Sequence, residues 1–340
     1  MNILHLSNFH LFSNGSHYYN CDRKFSLGFI RLGHFVYDFS YKDIQRSGNL
    51  LHSSKFGKKK VNKLLLNVLE SLQPDILLLG HVHLASETLA QIKLLCPNIR
   101  ILAWFVDTID DHRVAHFKPM ASAIDALFVT TAGEPLRQLK KALQHIPCMG
   151  YLPNPVDPAI EVGKSWDADS HQYDLIYCGA DRKAPERSAL LTSIKTAMPQ
   201  LRLRVCGSLG FPLAYGAQYF SLLSQSLCGL NFSKGNDRYW YSSDRIASLM
   251  GNGLCTFTPR VPGLEVLFGE DEVVYFDSPQ DLLTKLTWAL HNSENVKEVA
   301  YRGWQKAHRA YNTDRICKYM LEGLEGVFSE DYEWLAEYYR

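Results

Sequence analysis

Short apolar runs alternate along this chain with stretches whose apolar residues recur at helical spacing. In the first half the runs are NILHLS, GHFVYDFS, PDILLLG, IRILAWFV, DALFVTT and CMGYLP, and between them lie LNVLESLQ, SETLAQIKLLC and EPLRQLKKALQ. Near-continuous apolar strands separated by amphipathic helices predict a parallel sheet covered on both faces. The segment Pro153-Asn154-Pro155-Val156-Asp157-Pro158 cannot continue a helix, and the polar GKSWDADSHQ follows, which marks a domain boundary. The alternation then restarts with YDLIYCG, PERSALLTSIKTA, LRLRVCG, QYFSLLSQS, LCGLNFS, SDRIASLM, GLCTFTP and EVVYFD, before helices from Pro279 onward. The predicted fold class is α/β, with two Rossmann-like domains facing a cleft. They are assigned to residues 1–155 and 156–325, and the aromatic-rich 326–340 is predicted as a last helix packing back on the first domain.

Composition narrows the class. Lys and Arg number 36 against 35 Asp and Glu over 340 residues, so no whole-chain field draws the protein to DNA or RNA, and no nucleic-acid partner is expected. The eight cysteines never approach C-x-x-C spacing, and several sit inside strand-like runs such as LIYCGA and LRVCGS. They read as reduced, buried thiols in a cytoplasmic protein, with no structural zinc, and neither a cofactor nor a metal is expected. The opening MNILHLSNFHLF lacks a basic n-region and a small-residue cleavage site, so no secretion is expected. The longest apolar runs fall far short of the roughly 20 residues that span a bilayer. Any membrane contact is expected to be peripheral, at the inner face.

The stretch from Asn231 to Asp277 carries the densest chemistry. It sets Asn231 and Ser233 at a strand end, opens a short helix with Ser242, Ser243 and Asp244, turns at Gly251-Asn252-Gly253 and reaches an acidic loop containing Glu265. That layout brings helix N-terminal N–H groups, hydroxyls and Arg245 to the carboxyl edge of a parallel sheet, where open α/β folds hold phosphorylated ligands. A nucleotide-sugar site is the natural reading.

Most of residues 172–320 resembles the CgeB-like branch of the group 1 glycosyltransferases. The resemblance lies in DLIYCGADRKAPERSALL, the strand end NFS, YSSDRIASLMGNGLCTFT, LEVLFGEDEVVYFDSPQDLLTKLTWAL and the tail AYRGWQKAHRAYNTDRICKYML. The wording YSSDRI and GNGL is most similar to bacterial enzymes of lipopolysaccharide and capsule assembly, including the retaining β-Kdo transferases. The first half resembles the family only in layout, with GHFV after the first helix and WFVD near the fourth strand. The resemblance implies a GT-B architecture and a metal-independent transferase. Its donor would be a nucleotide-activated sugar, CMP-Kdo first and otherwise a UDP- or GDP-sugar, and its acceptor a surface glycan or glycolipid. The paired-glutamate motif common in the group is not intact. Glu265 stands near its later carboxylate, but no carboxylate precedes it at that spacing.

On this reading Gly179, Arg182, Lys183 and Arg187 face the donor, joined by Asn231, Ser233, Ser242, Ser243, Asp244, Arg245, Gly253 and Glu265. Four arginines, at 182, 187, 238 and 245, suit an acidic donor, and equally a diphosphate. Asp181 is the first candidate for a catalytic carboxylate, and a helix N-cap is its alternative. Asp107, in WFVDTIDD, is the candidate base on the first domain, with a solvated strand-end carboxylate as alternative. His81 and His83 end the DILLLGHVH strand, and Lys58 and Lys59 belong to a lysine run before VNKLLLNVLESL; all four are candidates for the acceptor side, with core or surface histidines and a solvated helix start as the alternatives. Two further classes stay open, a sugar-nucleotide epimerase or phosphorylase on the same scaffold and a non-catalytic nucleotide-sugar-binding subunit.

Overall fold

The computed structural model describes residues 1–47, 57–182 and 184–340. Lys183, and Lys55 of the lysine run, lie outside them. The chain divides into two units, one formed by Met1–Pro153 with Thr313–Arg340 and the other by Asn154–Asn312.

The first unit runs β1 (Asn2–Ser7), α1 (Cys21–Arg31), β2 (Phe35–Ser40), α2 (Tyr41–Ser47), α3 (Lys58–Leu72), β3 (Ile76–Leu79), α4 (Ser86–Leu95), β4 (Arg100–Phe105), α5 (Asp111–Phe117), β5 (Ala126–Val129), α6 (Glu134–Ala142) and β6 (Cys148–Tyr151). These strands lie parallel in the order β2-β1-β3-β4-β5-β6. Strands β3 and β5, ILLL and ALFV, are buried at every position, which is why they read as apolar runs rather than alternating ones. The strand order reverses direction between β1 and β3.

The second unit runs β7 (Tyr173–Cys178), α7 (Pro185–Ala197), β8 (Leu203–Cys206), α8 (Gly216–Ser224), β9 (Ser226–Leu230), α9 (Arg245–Gly251), β10 (Cys255–Pro259), β11 (Val274–Phe276), α10 (Pro279–His291) and α11 (Ser293–Ala310). Its five strands are all parallel, in the order β8-β7-β9-β10-β11. The core packs Leu190, Leu191 and Ile194 of α7 and Leu282 and Leu286 of α10 on Leu175, Leu230 and Phe257 of the sheet. Here the order reverses between β7 and β9.

The chain rejoins the first unit at Thr313 with α12 (Thr313–Glu325), ahead of the predicted boundary at 326. Helix α12 lies so close to α1 that a Cβ on Gly28 would stand 2.7 Å from Cys317 Sγ. Arg31 and Asp314 join the two helices by an ion pair of 2.7 Å. Residues 326–340 do not form the predicted helix. Gly326, at φ +75°, ends α12 in the left-handed conformation, and a loop leads to β12 (Tyr338–Tyr339), which pairs antiparallel with β6. The aromatic residues that suggested an amphipathic helix instead surround Tyr319, with ring centroids at 5.7 Å for Phe328 and 5.6 Å for Trp334. No helix among the described residues is long and apolar enough to cross a membrane.

Candidate functional site

In doubly wound sheets ligands bind beyond the carboxyl ends of the strands where the strand order reverses, because the loops there diverge and leave a crevice. In the second unit that point lies between β7 and β9, and it holds a knot of buried polar side chains. Arg245 donates from Nε to the Cys178 carbonyl (2.6 Å) and from Nη1 to the Phe232 carbonyl and the Ser243 hydroxyl (3.2 Å each), while its guanidinium rests over the Tyr177 ring at 5.0 Å. It thereby ties the end of β7 to the loop after β9. Gly179 allows this approach, since a Cβ there would stand 2.6 Å from Arg245 Nη2. Asn231 donates to the hydroxyls of Ser242 and Thr258 (3.0 Å each), and its buried Oδ1 has no partner. Ser233 accepts from the Ser243 amide at 2.9 Å.

Arg187 lies one turn into α7, 6% exposed, and donates from Nη1 to the Ala180 carbonyl at 2.7 Å. Its Nε is buried without a partner. Burial lowers the pKa of its guanidinium, and the nearby Arg245 lowers it further. Neither arginine pairs with a carboxylate. Arg182, on the loop before α7, is exposed and makes no hydrogen bond or ion pair among the described residues. Two buried cations that repel one another and a third free beside them form an arrangement that an anion would complete.

The remaining candidates of this unit divide. Asp181 Oδ2 accepts from the Ser188 hydroxyl (2.5 Å) and the Leu209 amide (2.9 Å), bonds that hold its pKa below the usual carboxylate value. It clamps the β7 loop to α7 and to the loop after β8. Asp244 occupies the N-cap position of α9 but makes no side-chain cap bond and is exposed, and Glu265 is an exposed carboxylate on the loop after β10. Gly253 does not join the cluster. It sits before β10, at the amino edge of the sheet, with φ +77° and Trp166 packed where a Cβ would be. Helix α9 carries the chain from one edge of the sheet to the other, so residues close in sequence end on opposite sides.

In the first unit Asp107 follows β4, exposed and at φ +131°, a conformation that costs a non-glycine residue about 1–3 kcal/mol. Thr130 holds it there, accepting from the Asp107 amide (3.0 Å) and donating to its carbonyl (3.2 Å). His81 is not free to take a proton through Nε2, which accepts from the Val106 amide at 3.1 Å. Burial, then the charges of Lys42, Arg113 and His116, push its pKa down to about 4. That corrects the reading of His81 as an acceptor ligand, since its ring is packed and pinned. His83 is exposed, as are Lys58 and Lys59 in the first turn of α3. No group of three His, Cys, Asp or Glu among the described residues stands close enough to hold a metal ion.

Residues 182–322 match the glycosyl transferase-like family model. Sucrose-phosphate synthase from Thermosynechococcus elongatus covers 96% of this chain and 99% of its own length at a TM-score of 0.60, with 10% identity. Anabaena HepE, solved in complex with UDP and glucose, covers 96% and 100% at a TM-score of 0.58 and 10% identity. A glycosyltransferase from Rickettsia africae covers 97% and 99% at a TM-score of 0.54 and 10% identity. The fold is GT-B. Among curated proteins no sequence matches significantly.

In this GT-B chain the family match begins at Arg182, on the loop that carries the exposed cation. Reading the sequence missed Lys42, Arg113 and His116, which stand with His81 and His83 in the first unit. The one linear signal was HRVAH in α5, whose two histidines lie on one helical face.

Proposed function

We propose that the chain is a glycosyltransferase that takes its sugar from a nucleoside-diphosphate donor held on the second unit and transfers it to an acceptor held on the first. The observation that carries this reading is the pair of buried guanidiniums without a carboxylate, Arg187 and Arg245, beside the exposed Arg182 at the switch point. A diphosphate supplies the missing countercharge, and fixed guanidiniums stabilise it further as it becomes the leaving group. A cavity of about 500 Å³, lined in part by Phe232, Asn236, Pro259 and Phe276, adjoins the cluster through Phe232 and has the size for a nucleoside. The family match over 182–322 and the likeness to a structure solved with UDP support the same class.

In this mechanism Arg182, Arg187 and Nη2 of Arg245 hold the diphosphate, with Asn231 Oδ1 and the Ser243 hydroxyl toward the sugar or ribose. Asp107 takes the proton of the acceptor hydroxyl. Its strained backbone, held by Thr130, is the kind of feature that persists where function requires it. Asp181 acts by positioning the β7 loop rather than as a nucleophile, because its Oδ2 is already committed. The acceptor is a glycan or glycolipid, with the exposed Lys58 and Lys59 drawing an anionic surface. A CMP-activated acidic sugar such as CMP-Kdo is the second donor reading, favoured by the exposed Arg182 and Arg238.

The test is thermal stabilisation by UDP, GDP, dTDP and CMP, followed by nucleotide release from the matching sugar donor with and without an acceptor glycan. Stabilisation by UDP or GDP with acceptor-dependent release supports the proposal. CMP selectivity moves the donor to an activated acid. Tight binding without turnover favours a non-catalytic subunit, and sugar conversion without acceptor an epimerase.

A further inference from the structure

The carboxyl edge of the first unit's sheet gathers a second group of basic side chains. Lys42 stands in the first turn of α2, His81 and His83 follow β3, and His112, Arg113 and His116 lie in α5 after β4. Phe105, the last residue of β4, is the bed for His81 and Arg113. The His81 ring stacks on it at 4.4 Å, the Arg113 guanidinium lies over it at 4.8 Å, and Phe117 meets it edge-on at 5.7 Å. His116 packs against Phe117 at 5.2 Å and faces His83 at 5.0 Å. Three segments, α2, the loop after β3 and α5, thus deliver Lys42, His83, Arg113 and His116 to one edge.

The charges of Lys42 and Arg113 are uncompensated by any ion pair among the described residues. Burial first, and then the charges of neighbours that include Lys42 and Arg113, push the pKa of His81 and His116 down to about 4. Among the described residues no carboxylate pairs with Lys42, Arg113, His83 or His116. Three acids of the neighbouring segments have an oxygen engaged elsewhere. Asp43 Oδ2 accepts from the Leu11 amide (2.9 Å) and the Ser40 hydroxyl (2.5 Å), Asp110 caps α5 by accepting from the Arg113 amide (2.9 Å), and Asp107 Oδ1 accepts from the Thr108 amide (2.9 Å). An anion bound here would offset the two standing charges and accept from the neighbouring rings.

We propose that Lys42, His83, Arg113 and His116 form a subsite for a phosphoryl group carried by the acceptor. A fork, an ammonium and two ring N–H groups from separate directions match the three oxygens of a phosphate monoester better than the two of a carboxylate. The rigid Phe105 bed holds the guanidinium in place, so little side-chain freedom is lost on binding. This rests on the reading of the first unit as the acceptor side.

The experiment is a titration of the full chain with inorganic phosphate, at constant ionic strength set by chloride, read on the ring signals of His83 and His116 by NMR. These signals are assigned from H83Q and H116Q. The expected result is that both move and saturate, and that Arg113→Gln and Lys42→Gln each weaken the response roughly tenfold while leaving the melting temperature within a few degrees. Signals that do not move beyond the chloride control, or that move equally in both variants, overturn the subsite. UDP stabilisation is measured on the same samples. Phosphate binding without UDP binding leaves the subsite standing and removes the donor reading, and UDP binding without phosphate binding does the reverse. Glucose 6-phosphate and phosphatidylglycerol vesicles separate the sources. Tighter binding of the sugar phosphate than of inorganic phosphate supports a small acceptor, whereas vesicle capture abolished by Arg113→Gln, with no response to the sugar phosphate, overturns that part in favour of a lipid headgroup.

Discussion

Replacing Arg187 with Met separates an anion site from a structural strut. Methionine keeps the length and the apolar stem of the side chain but removes its charge and the 2.7 Å bond to the Ala180 carbonyl. A hydrogen bond from a charged group is worth about 1.5–3 kcal/mol, so a diphosphate that loses Arg187 should bind roughly 10–150-fold more weakly. The ligand-free protein should change little. The lost bond to Ala180 is offset by no longer burying a cation that has no carboxylate, has an unpartnered Nε and faces Arg245. A net change within about 1 kcal/mol corresponds to a melting temperature within roughly 2–4 °C of the wild type. The assay is a thermal scan of both proteins over a UDP titration, with calorimetry for affinity. A variant that melts many degrees lower yet keeps the full UDP-induced shift would show Arg187 to be a strut, and the argument from uncompensated charge would fail with it.

Three further outcomes follow from other parts of the molecule. Asp107→Gly should leave the protein as stable as the wild type or more stable by about 1 kcal/mol, because glycine adopts φ +131° freely, while turnover falls by about 10²–10⁴ through loss of the base; a large loss of stability with activity retained would reverse both assignments. Asp181→Asn should lower the melting temperature at neutral pH and leave measurable turnover. The carboxylate's pKa is depressed in the fold, so its contribution is complete above the ordinary value of 3.8 and is lost as the pH falls through the folded value; equal melting temperatures of the two proteins at pH 7 would contradict the clamp. His5 is fully buried between Ser26, at 2.8 Å, and Trp104, whose Nε1 donates to its Nε2 at 3.3 Å, and its pKa is lowered to about 3. Between about pH 6.5 and 3 the unfolded chain protonates this ring and the folded one does not, so stability should fall with acidification by up to about 1.4 kcal/mol per pH unit, and His5→Leu should flatten that slope in urea melts at several pH values.

Strand and helix identity was legible in the chain because the parallel strands of both units are buried on two faces. Runs such as ILLL and ALFV therefore carry their own signal, and the proline-rich break at 153–158 falls where the first unit gives way to the second. The polar cluster at the second unit's switch point was legible for a similar reason. Gly179, Arg187, Asn231, Ser233, Ser243 and Arg245 all follow or flank strand ends, and the switch-point rule names that edge without coordinates. Gly253 was misjudged because short sequence separation was taken for proximity, whereas a seven-residue helix between the two positions carries the chain to the opposite edge.

What the sequence determined by itself is local: the period of the apolar residues, the breaks between elements, and hence the class and the edge on which chemistry is found. The tertiary structure decided which polar groups remain free. Burial and hydrogen-bond geometry depend on partners far away in the chain, such as Leu209 for Asp181 and Thr130 for Asp107. The same dependence pins His81 on a backbone amide, leaves Arg187 and Arg245 without a carboxylate, and brings Lys42 to the histidines of β3 and α5. It also set 326–340 as a loop that ends in the two-residue edge strand Tyr338–Tyr339. A strand partner and an aromatic cage around Tyr319 offered those residues more than a helix face with nothing to pack against, and neither is written in their own spacing.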